Sequence, residues 1–276
     1  MDSLLRQKVI NSNRLYHAEL AKDYDKTQPH YLPENQERVE TIISDLAAKS
    51  GGESLLDLGC GTGFVLNIAH KYFKRVVGVD LTEEMLDLVD TSSGKVELIN
   101  ADTGCLDMIK NETFSACTAY SYLHHLYDMM PTLREAYRCL NPGGFFYSDA
   151  DPNRYFWELF KSNDFSTAGG VVEREYHAVI NVAEEISQSS KMSAEDVALA
   201  EYQKEIMGGI DPEEIEHELE NIGFSSIKYR YEWYLGQGKV IHQQPEVEAE
   251  VIETYLRDCL PTTRSLFKYF SIYAQK

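Results

Sequence analysis

The chain has 276 residues, enough for one α/β domain with an elaboration, and a formal net charge of −19. Such an acidic chain argues against nucleic acid and anionic membranes as partners, because both bind clustered Lys and Arg. Five scattered cysteines without a Cys-x-x-Cys pair indicate reduced thiols and a cytoplasmic location. We expect no membrane span and no signal peptide, since no apolar run of about 18 residues and no apolar N-terminal core occur.

The first 50 residues are predicted to form a helical cover in front of the main domain. Met1–Lys22 carries apolar residues at helical spacing, and so does Glu34–Lys49, which ends at a glycine pair. Between these helices, two prolines and the dipeptide Tyr24–Asp25 indicate irregular backbone.

The rest of the chain is organised around the first strand and the turn after it. Ser54–Leu58 is a short apolar run typical of a buried parallel strand; glycines 59, 61 and 63 follow, before a helix over Phe64–Tyr72. This layout presents backbone N–H groups to a ligand. Phe64 stands where a dinucleotide fingerprint has its third glycine, and no P-loop pattern occurs nearby. Asp57 would repel a pyrophosphate but attract an ammonium group, which favours a zwitterionic ligand.

The pattern D-x-G-x-G-x-G resembles the first motif of class I S-adenosylmethionine-dependent methyltransferases. The resemblance implies that S-adenosylmethionine is the cofactor and that four residues of the turn hold it: Asp57, Gly59, Gly61 and Gly63. A glycine turn without a ligand is the alternative. Tyr24–Asp25 is similar to the opening of many small-molecule members, in which this segment folds over the cofactor, although ordinary packing explains Tyr24 equally well.

The second and third strands are followed by acidic residues that suit the same cofactor. Arg75–Val79 ends at Asp80, whose carboxylate can accept two hydrogen bonds from a ribose diol, while the next residue offers an apolar edge to adenine. Val96–Ile99 is the third strand, and the resemblance assigns Asp102 to the adenine amine; an Asx turn is the alternative. The residues of this region assigned to the cofactor are Asp80, Leu81, Ala101, Asp102 and Thr103.

The fourth and fifth strands complete the resemblance. Phe114–Tyr120 is the fourth strand, and Tyr120 would lie beside the methionine end of the cofactor. The Leu-His-His run at 123–125 is frequent in the family, as is the Leu-x-Pro-Gly-Gly turn that leads from a helix over 131–140 into the fifth strand, Phe145–Ser148. These features match in order between Leu55 and Ala150, and the joint match is more specific than the glycine motif alone.

The remaining chain is predicted to add helices and two strands. Helical stretches over 155–161 and 171–205 form an insertion, another helix begins at Asp211, and an acidic helix over 245–260 separates strands Phe224–Leu235 and Leu266–Ala274. We therefore predict an α/β fold: a doubly wound, Rossmann-like, mostly parallel seven-stranded sheet ending in an antiparallel hairpin, with N-terminal helices and a helical insertion. Residues 1–50 would form the cover, 51–154 and 208–276 the cofactor-binding domain, and 155–207 the insertion over the acceptor site.

Three histidines are candidates for a catalytic base, because imidazole titrates near neutral pH: His124, His125 and His177. A structural role for the pair is the alternative, with one ring capping the following helix and the other packed. A magnesium site would need carboxylates after the fourth and fifth strands. Asp149 and Asp151 follow the fifth strand but no carboxylate follows the fourth directly, so we expect no metal.

The predicted function is methyl transfer from S-adenosylmethionine to a small molecule. Aromatic residues over 155–160 and on the sixth strand favour an apolar or aromatic acceptor, although core packing also explains them. The [DNS]-P-P-[YF] run common in nucleic-acid methyltransferases is absent after the fourth strand. Two alternatives are a catalytically silent cofactor-binding or regulatory protein and a Rossmann oxidoreductase, which Phe64 disfavours. The sequence leaves the acceptor, the methylated atom and the oligomeric state open.

Overall fold

A computed structural model describes residues 2–180, 192–237 and 246–276. Parts of the predicted helices over 171–205 and 245–260 therefore lie outside the described residues. The strands are β1 (Ser54–Leu58), β2 (Arg75–Asp80), β3 (Val96–Asn100), β4 (Phe114–Tyr120), β5 (Leu140–Pro152), β6 (Ser225–Tyr234) and β7 (Phe267–Gln275). They form one seven-stranded sheet in the order β3-β2-β1-β4-β5-β7-β6.

The sheet is parallel from β3 to β5, and β7 runs antiparallel to both β5 and β6. Every residue of β1 is buried, because helices cover both faces of the sheet. The strand order reverses between β1 and β4, and in such sheets a crevice opens at the carboxyl ends of the strands on either side of the reversal. The predicted fold class is confirmed.

Helices cover the sheet and extend beyond it. They are α1 (Ser3–Leu20), α2 (Tyr24–Thr27), α3 (Pro33–Ser50), α4 (Phe64–Ala69), α5 (Glu83–Leu86), α6 (Met130–Cys139), α7 (Arg154–Ser162), α8 (Gly170–Ile180), α9 (Ala194–Ala200), α10 (Tyr202–Glu205), α11 (Pro212–Ile222) and α12 (Glu246–Asp258). Short 3₁₀ helices occupy Ala21–Asp23, Pro29–Tyr31, Leu123–His125 and Arg264–Leu266. Among the helices described, none is both long and apolar enough to cross a membrane.

Some predicted boundaries differ from the structure. Helix α4 ends at Ala69 rather than Tyr72, because the chain turns there toward β2. Strand β5 begins at Leu140 and includes the predicted turn over 141–144. The physical reason is pairing with the last residue of the chain: the Gly143 N–H donates to the carbonyl of Lys276 at 2.9 Å.

The core forms one layer on each face of the sheet. Helices α6 and α11 cover Leu56 and Val77, whereas α3 and α4 cover Leu55 and Val76. A separate apolar cluster joins α7 to α8, so the insertion has a small core of its own. Helix α1 packs against α9 through Tyr16, which brings the N-terminal cover and the insertion together.

Candidate active site

A cleft opens at the carboxyl ends of β1, β2 and β4, and the glycine turn lines it. Gly59, Gly61 and Gly63 all have positive φ, at +70°, +53° and +90°. A Cβ on Gly59 would lie 1.9 Å from the side chain of Tyr122, so this close approach requires glycine. The N–H of Gly59 donates to the carbonyl of Val79 at 2.8 Å, which ties the turn to β2.

Asp80 connects the glycine turn to the start of α5. Its Oδ2 accepts from the N–H of Gly61 at 2.9 Å, and its Oδ1 accepts from the N–H of Thr82 at 2.8 Å. Each carboxylate oxygen can accept a further hydrogen bond, and Asp80 lines the cleft beside Leu81. Backbone N–H groups therefore orient a carboxylate that is still able to bind a diol.

Asp57, in β1, is only 2% exposed although it lines the cleft. Its Oδ1 accepts from the hydroxyl of Thr118 at 2.7 Å. Burial raises the pKa of Asp57 to about 7; the bond from Thr118 opposes this shift, and the charge of Asp80 adds to it. A cation bound in the cleft would favour the ionised form of this carboxyl group.

The loop after β3 presents Asp102 to the cleft. Its Oδ2 accepts from Nη2 of Arg6 at 2.7 Å, and its Oδ1 accepts from the N–H of Gly104 at 2.9 Å. The Asx-type bond considered as the alternative is therefore present, and the other oxygen pairs with a cation from α1.

Three residues assigned to the cofactor from the sequence do not line the cleft: Ala101, Thr103 and Gly63. The hydroxyl of Thr103 bonds with that of Tyr122 at 2.7 Å and so supports the ring that lies on the glycine turn. Gly63 faces Val89, and a Cβ on it would lie 3.0 Å from that side chain. Their positions are those of supporting residues.

The segment between α1 and α3 lies over the glycine turn. The hydroxyl of Thr62 donates to Oδ1 of Asp25 at 2.6 Å and bonds with the hydroxyl of Tyr31 at 2.6 Å. Tyr24 lines the cleft and lies 5.6 Å from the ring of His30. Burial lowers the pKa of His30 to about 4, so this imidazole is neutral near pH 7.

A second cavity, of about 570 Å³, lies beside the cleft. The two spaces share a wall formed by His30, Tyr120 and Ser121. The second cavity has six Phe, Trp or Tyr side chains in its lining, namely Tyr16, Tyr120, Phe156, Trp233, Tyr234 and Tyr269. Three of these, Phe156, Trp233 and Tyr234, belong to the aromatic segments singled out from the sequence.

Charged side chains also line the second cavity, and they form ion pairs. Nζ of Lys204 lies 2.7 Å from Oε2 of Glu201, and Nζ of Lys268 lies 3.3 Å from Oε2 of Glu175. Burial alone would raise the pKa of Glu201, but Lys204 and the neighbouring histidines hold it well below its usual range.

Of the three candidate histidines, His124 alone lines the second cavity. Its Nδ1 lies 2.9 Å from Oδ1 of Asp151, and its Nε2 lies 3.7 Å from Oε2 of Glu201. His125 lines the cleft instead, and burial lowers its pKa well below the usual value, with His124 adding to the shift. His177 is exposed on α8 and lines neither space, so the structure does not bring the three histidines together.

Several charged residues that reach the two spaces were missed from the sequence. Arg6 comes from α1, Glu201 and Lys204 come from the end of α9 and from α10, and Lys268 comes from β7. No local motif marks any of them. The spacing of Glu201 and Lys204 is that of an ordinary pair on an exposed helix, so it gives no sign of burial.

Comparison with known proteins agrees with this geometry. Residues 56–148 match the family model described as a methyltransferase domain. A "probable S-adenosylmethionine-dependent methyltransferase" of Mycolicibacterium smegmatis is 26% identical over 132 residues, which are 47% of this chain and 51% of that protein. A ubiquinone biosynthesis O-methyltransferase of Coxiella burnetii is 25% identical over 159 residues, or 55% of this chain and 67% of that protein.

A solved S-adenosylmethionine-dependent methyltransferase from Mesorhizobium loti has the same fold, with a TM-score of 0.55 and 16% identity over 86% of this chain and 96% of that one. The alignment spans about half the length of the Mycolicibacterium relative, so the match concerns the shared domain. The matched region contains the motifs from Leu56 to Ser148. Residues 56–148 thus match a methyltransferase domain, and the comparisons support the predicted resemblance to class I S-adenosylmethionine-dependent methyltransferases, with S-adenosylmethionine as the cofactor.

Proposed function

We propose that this protein is an enzyme that transfers a methyl group from S-adenosylmethionine in the cleft to a small molecule in the second cavity. One observation carries the proposal: His30, Tyr120 and Ser121 line both spaces, at the edge of the sheet where β4 ends. A cofactor in the cleft and an acceptor in the second cavity would therefore meet where these three residues lie. Alignment of a nucleophile with the methyl carbon supplies much of the rate of such a reaction.

The residues of the cleft fit the cofactor part by part. The glycine turn is a cradle that side chains would fill, Asp57 suits the ammonium group, and Asp80 suits the ribose diol. Asp102, once Arg6 releases one oxygen, suits the adenine amine. Leu81, Tyr24 and Tyr120 complete the lining, while Ala101, Thr103 and Gly63 support it from behind. When bound, the cofactor supplies an electrophilic methyl group on a positively charged sulfur.

An apolar or aromatic acceptor suits the second cavity. Six aromatic side chains offer flat apolar surfaces, and a pocket of about 570 Å³ is in the range of small-molecule sites. The Coxiella relative is named for O-methylation in ubiquinone biosynthesis, which supports an aromatic acceptor without identifying it. His124 is the histidine that we place at the acceptor, whereas His125 faces the cleft and His177 lies apart.

The free cysteines and the net charge support a location and a class of acceptor. The five cysteines are free thiols in the structure, which supports a cytoplasmic location. The net charge of −19 supports a small-molecule acceptor rather than a nucleic acid or an anionic membrane.

Calorimetric titration and a product assay test the proposal. S-adenosylmethionine and S-adenosylhomocysteine should bind, and NAD should bind far more weakly; tighter binding of NAD would contradict the assignment. Release of S-adenosylhomocysteine is then followed against a panel of phenols, amines and carboxylic acids. Binding without turnover on any acceptor would favour the silent, regulatory alternative.

A matched pair of variants tests the position of the acceptor. Trp233→Leu alters the lining of the second cavity, so it should change the KM for the acceptor and leave cofactor affinity unchanged. Tyr229→Leu, on the same strand but outside the cavity, is the control. Equal kinetic effects of the two substitutions would remove the second cavity from the proposal.

A further inference from the structure

A buried cluster of three side chains lies between the insertion and the turn after β4. His124, His125 and Glu201 are 6%, 7% and 6% exposed. One nitrogen or oxygen atom from each lies within 4.8 Å of the others, and among the described residues this is the one His, Cys, Asp or Glu group with such spacing. The chain brings the cluster together over a separation of more than 70 residues.

The two imidazoles are held in a defined orientation. Nδ1 of His124 lies 2.9 Å from Oδ1 of Asp151, and Nδ1 of His125 lies 2.7 Å from the carbonyl oxygen of Ala200. A carbonyl can only accept, so His125 carries its proton on Nδ1 and presents Nε2 as a lone pair. Metal-binding histidines typically donate their other N–H to a carboxylate or a backbone carbonyl in this way.

We propose that His124, His125 and Glu201 bind a divalent transition-metal ion, with Zn²⁺ as the reference ion. Two imidazoles and one carboxylate suit Zn²⁺ and its neighbours in the first transition row but not Mg²⁺, which prefers oxygen ligands. A site with three protein ligands leaves a further coordination position. His124 and Glu201 line the second cavity, so this position would be accessible to the acceptor.

The ammonium group of Lys204 balances the charge of Glu201 in the cluster. Its Nζ lies 2.7 Å from Oε2 of Glu201, and the same oxygen lies 3.7 Å from Nε2 of His124. A bound metal would compete with the ammonium group for the carboxylate. The ion binds when Lys204 turns toward Glu205, whose Oε1 lies 3.9 Å away. This proposal departs from the expectation of no metal, which considered carboxylates after the strands and not those of the insertion.

Metal titration of the purified 276-residue chain tests the site directly. We expect one Zn²⁺ per chain by calorimetry, Co²⁺ absorption bands typical of low coordination number, and no comparable binding of Mg²⁺. Glu201→Gln should weaken Zn²⁺ binding at least tenfold, and Asp151→Asn should weaken it about 10- to 100-fold by releasing His124. Glu195→Gln, an exposed change of the same charge on α9, is the control.

Lys204→Met provides the sharpest variant, because it removes the competing cation and should tighten Zn²⁺ binding severalfold. Circular dichroism establishes folding, and His125→Gln replaces Glu201→Gln if that variant does not fold. Failure of the wild-type chain to bind Zn²⁺ stoichiometrically overturns the proposal, as does equal affinity in wild type and Glu201→Gln. The role of the ion beside the acceptor rests on the proposed function. Cofactor titration tests that function separately, since it needs no metal.

Discussion

The cleft and the second cavity differ in where their residues come from and in how their charges are balanced. Most of the cleft is built by loops between residues 57 and 132. The carboxylates of Asp57 and Asp80 there accept from a neutral hydroxyl and from backbone N–H groups, and Asp102 forms an ion pair with Arg6 at the outer edge. The second cavity collects residues from α1, the insertion, β6 and β7, and its charges form ion pairs. If the two spaces hold the cofactor and the acceptor as proposed, binding of the shared cofactor uses local structure, whereas recognition of an individual acceptor uses long-range contacts.

The largest effect is expected at Asp57, where a buried carboxyl group forms no ion pair with any residue that the structure describes. Its pKa is 3.8 in a model peptide and about 7 in the folded chain. Between these pH values the folded state binds more protons than the unfolded state, so the free energy of unfolding falls as the pH rises. The full shift corresponds to roughly 4 kcal/mol above pH 7.

Asp57→Asn removes this titration. The free energy of unfolding of the variant should therefore rise relative to wild type by about 4 kcal/mol between pH 4 and pH 8, as measured by urea denaturation. The comparison must be between the two proteins, because His30, with its pKa lowered to about 4, titrates with the opposite sign in the same range. A constant difference between the two proteins across this range would show that Asp57 is ionised in the folded chain. Asp107→Asn, the same change at an exposed position, is the control.

The second effect tests the ion pairs of the second cavity. Lys204→Met leaves Glu201 buried without its ammonium partner, and breaking a buried pair costs about 3 kcal/mol or more. We expect that loss in urea denaturation at pH 7, with unchanged affinity for S-adenosylmethionine. Lys71→Met, which breaks the exposed pair with Glu40, should cost no more than about 1 kcal/mol.

A second substitution shows whether the pair itself is responsible. Adding Glu201→Gln to Lys204→Met removes the uncompensated charge, so the double variant should recover part of the lost stability. If the two single losses simply add, the ion pair is not the source of the effect, and the contrast between the two regions becomes weaker.

The same contrast explains what the sequence could predict. Strands β1, β2 and β4 are apolar runs with glycines or acidic residues at their ends. The mostly parallel sheet and residues such as Asp57, Asp80 and Asp102 therefore follow from local patterns. Arg6 was not predictable because its role depends on where α1 packs. The sequence around Glu201 is typical of a solvated helix, and the residue is buried only because α10 packs against the turn after β4. Burial of a charge is a property of the tertiary structure and leaves no periodic signal.

The third effect concerns Asp80, the carboxylate that is oriented by two backbone N–H groups. On the proposed binding mode, Asp80→Ala would remove two charge-assisted bonds to the ribose and would loosen the glycine turn. Water replaces part of the lost hydrogen bonding, so we expect the binding free energy of S-adenosylmethionine to weaken by about 2–3 kcal/mol. Calorimetry would measure this as roughly 30- to 150-fold weaker binding. Asp102→Ala should cost less, and the exposed control Asp87→Ala should cost nothing. A folded Asp80→Ala chain with wild-type affinity would remove the main support for this cofactor site.

The smallest effect is expected at Arg6, where the N-terminal cover and the cleft meet. Its ion pair with Asp102 joins side chains that are 44% and 33% exposed, so it contributes at most about 1 kcal/mol. If adenine takes the oxygen that Arg6 holds, Arg6→Ala should tighten cofactor binding by up to about fivefold, and the gain should shrink in high salt because the competing pair is screened. Arg14→Ala, an exposed change on the same helix, controls for net charge. Weaker binding in Arg6→Ala would instead mean that the guanidinium contacts the cofactor and that Asp102 holds the arginine in place for that contact.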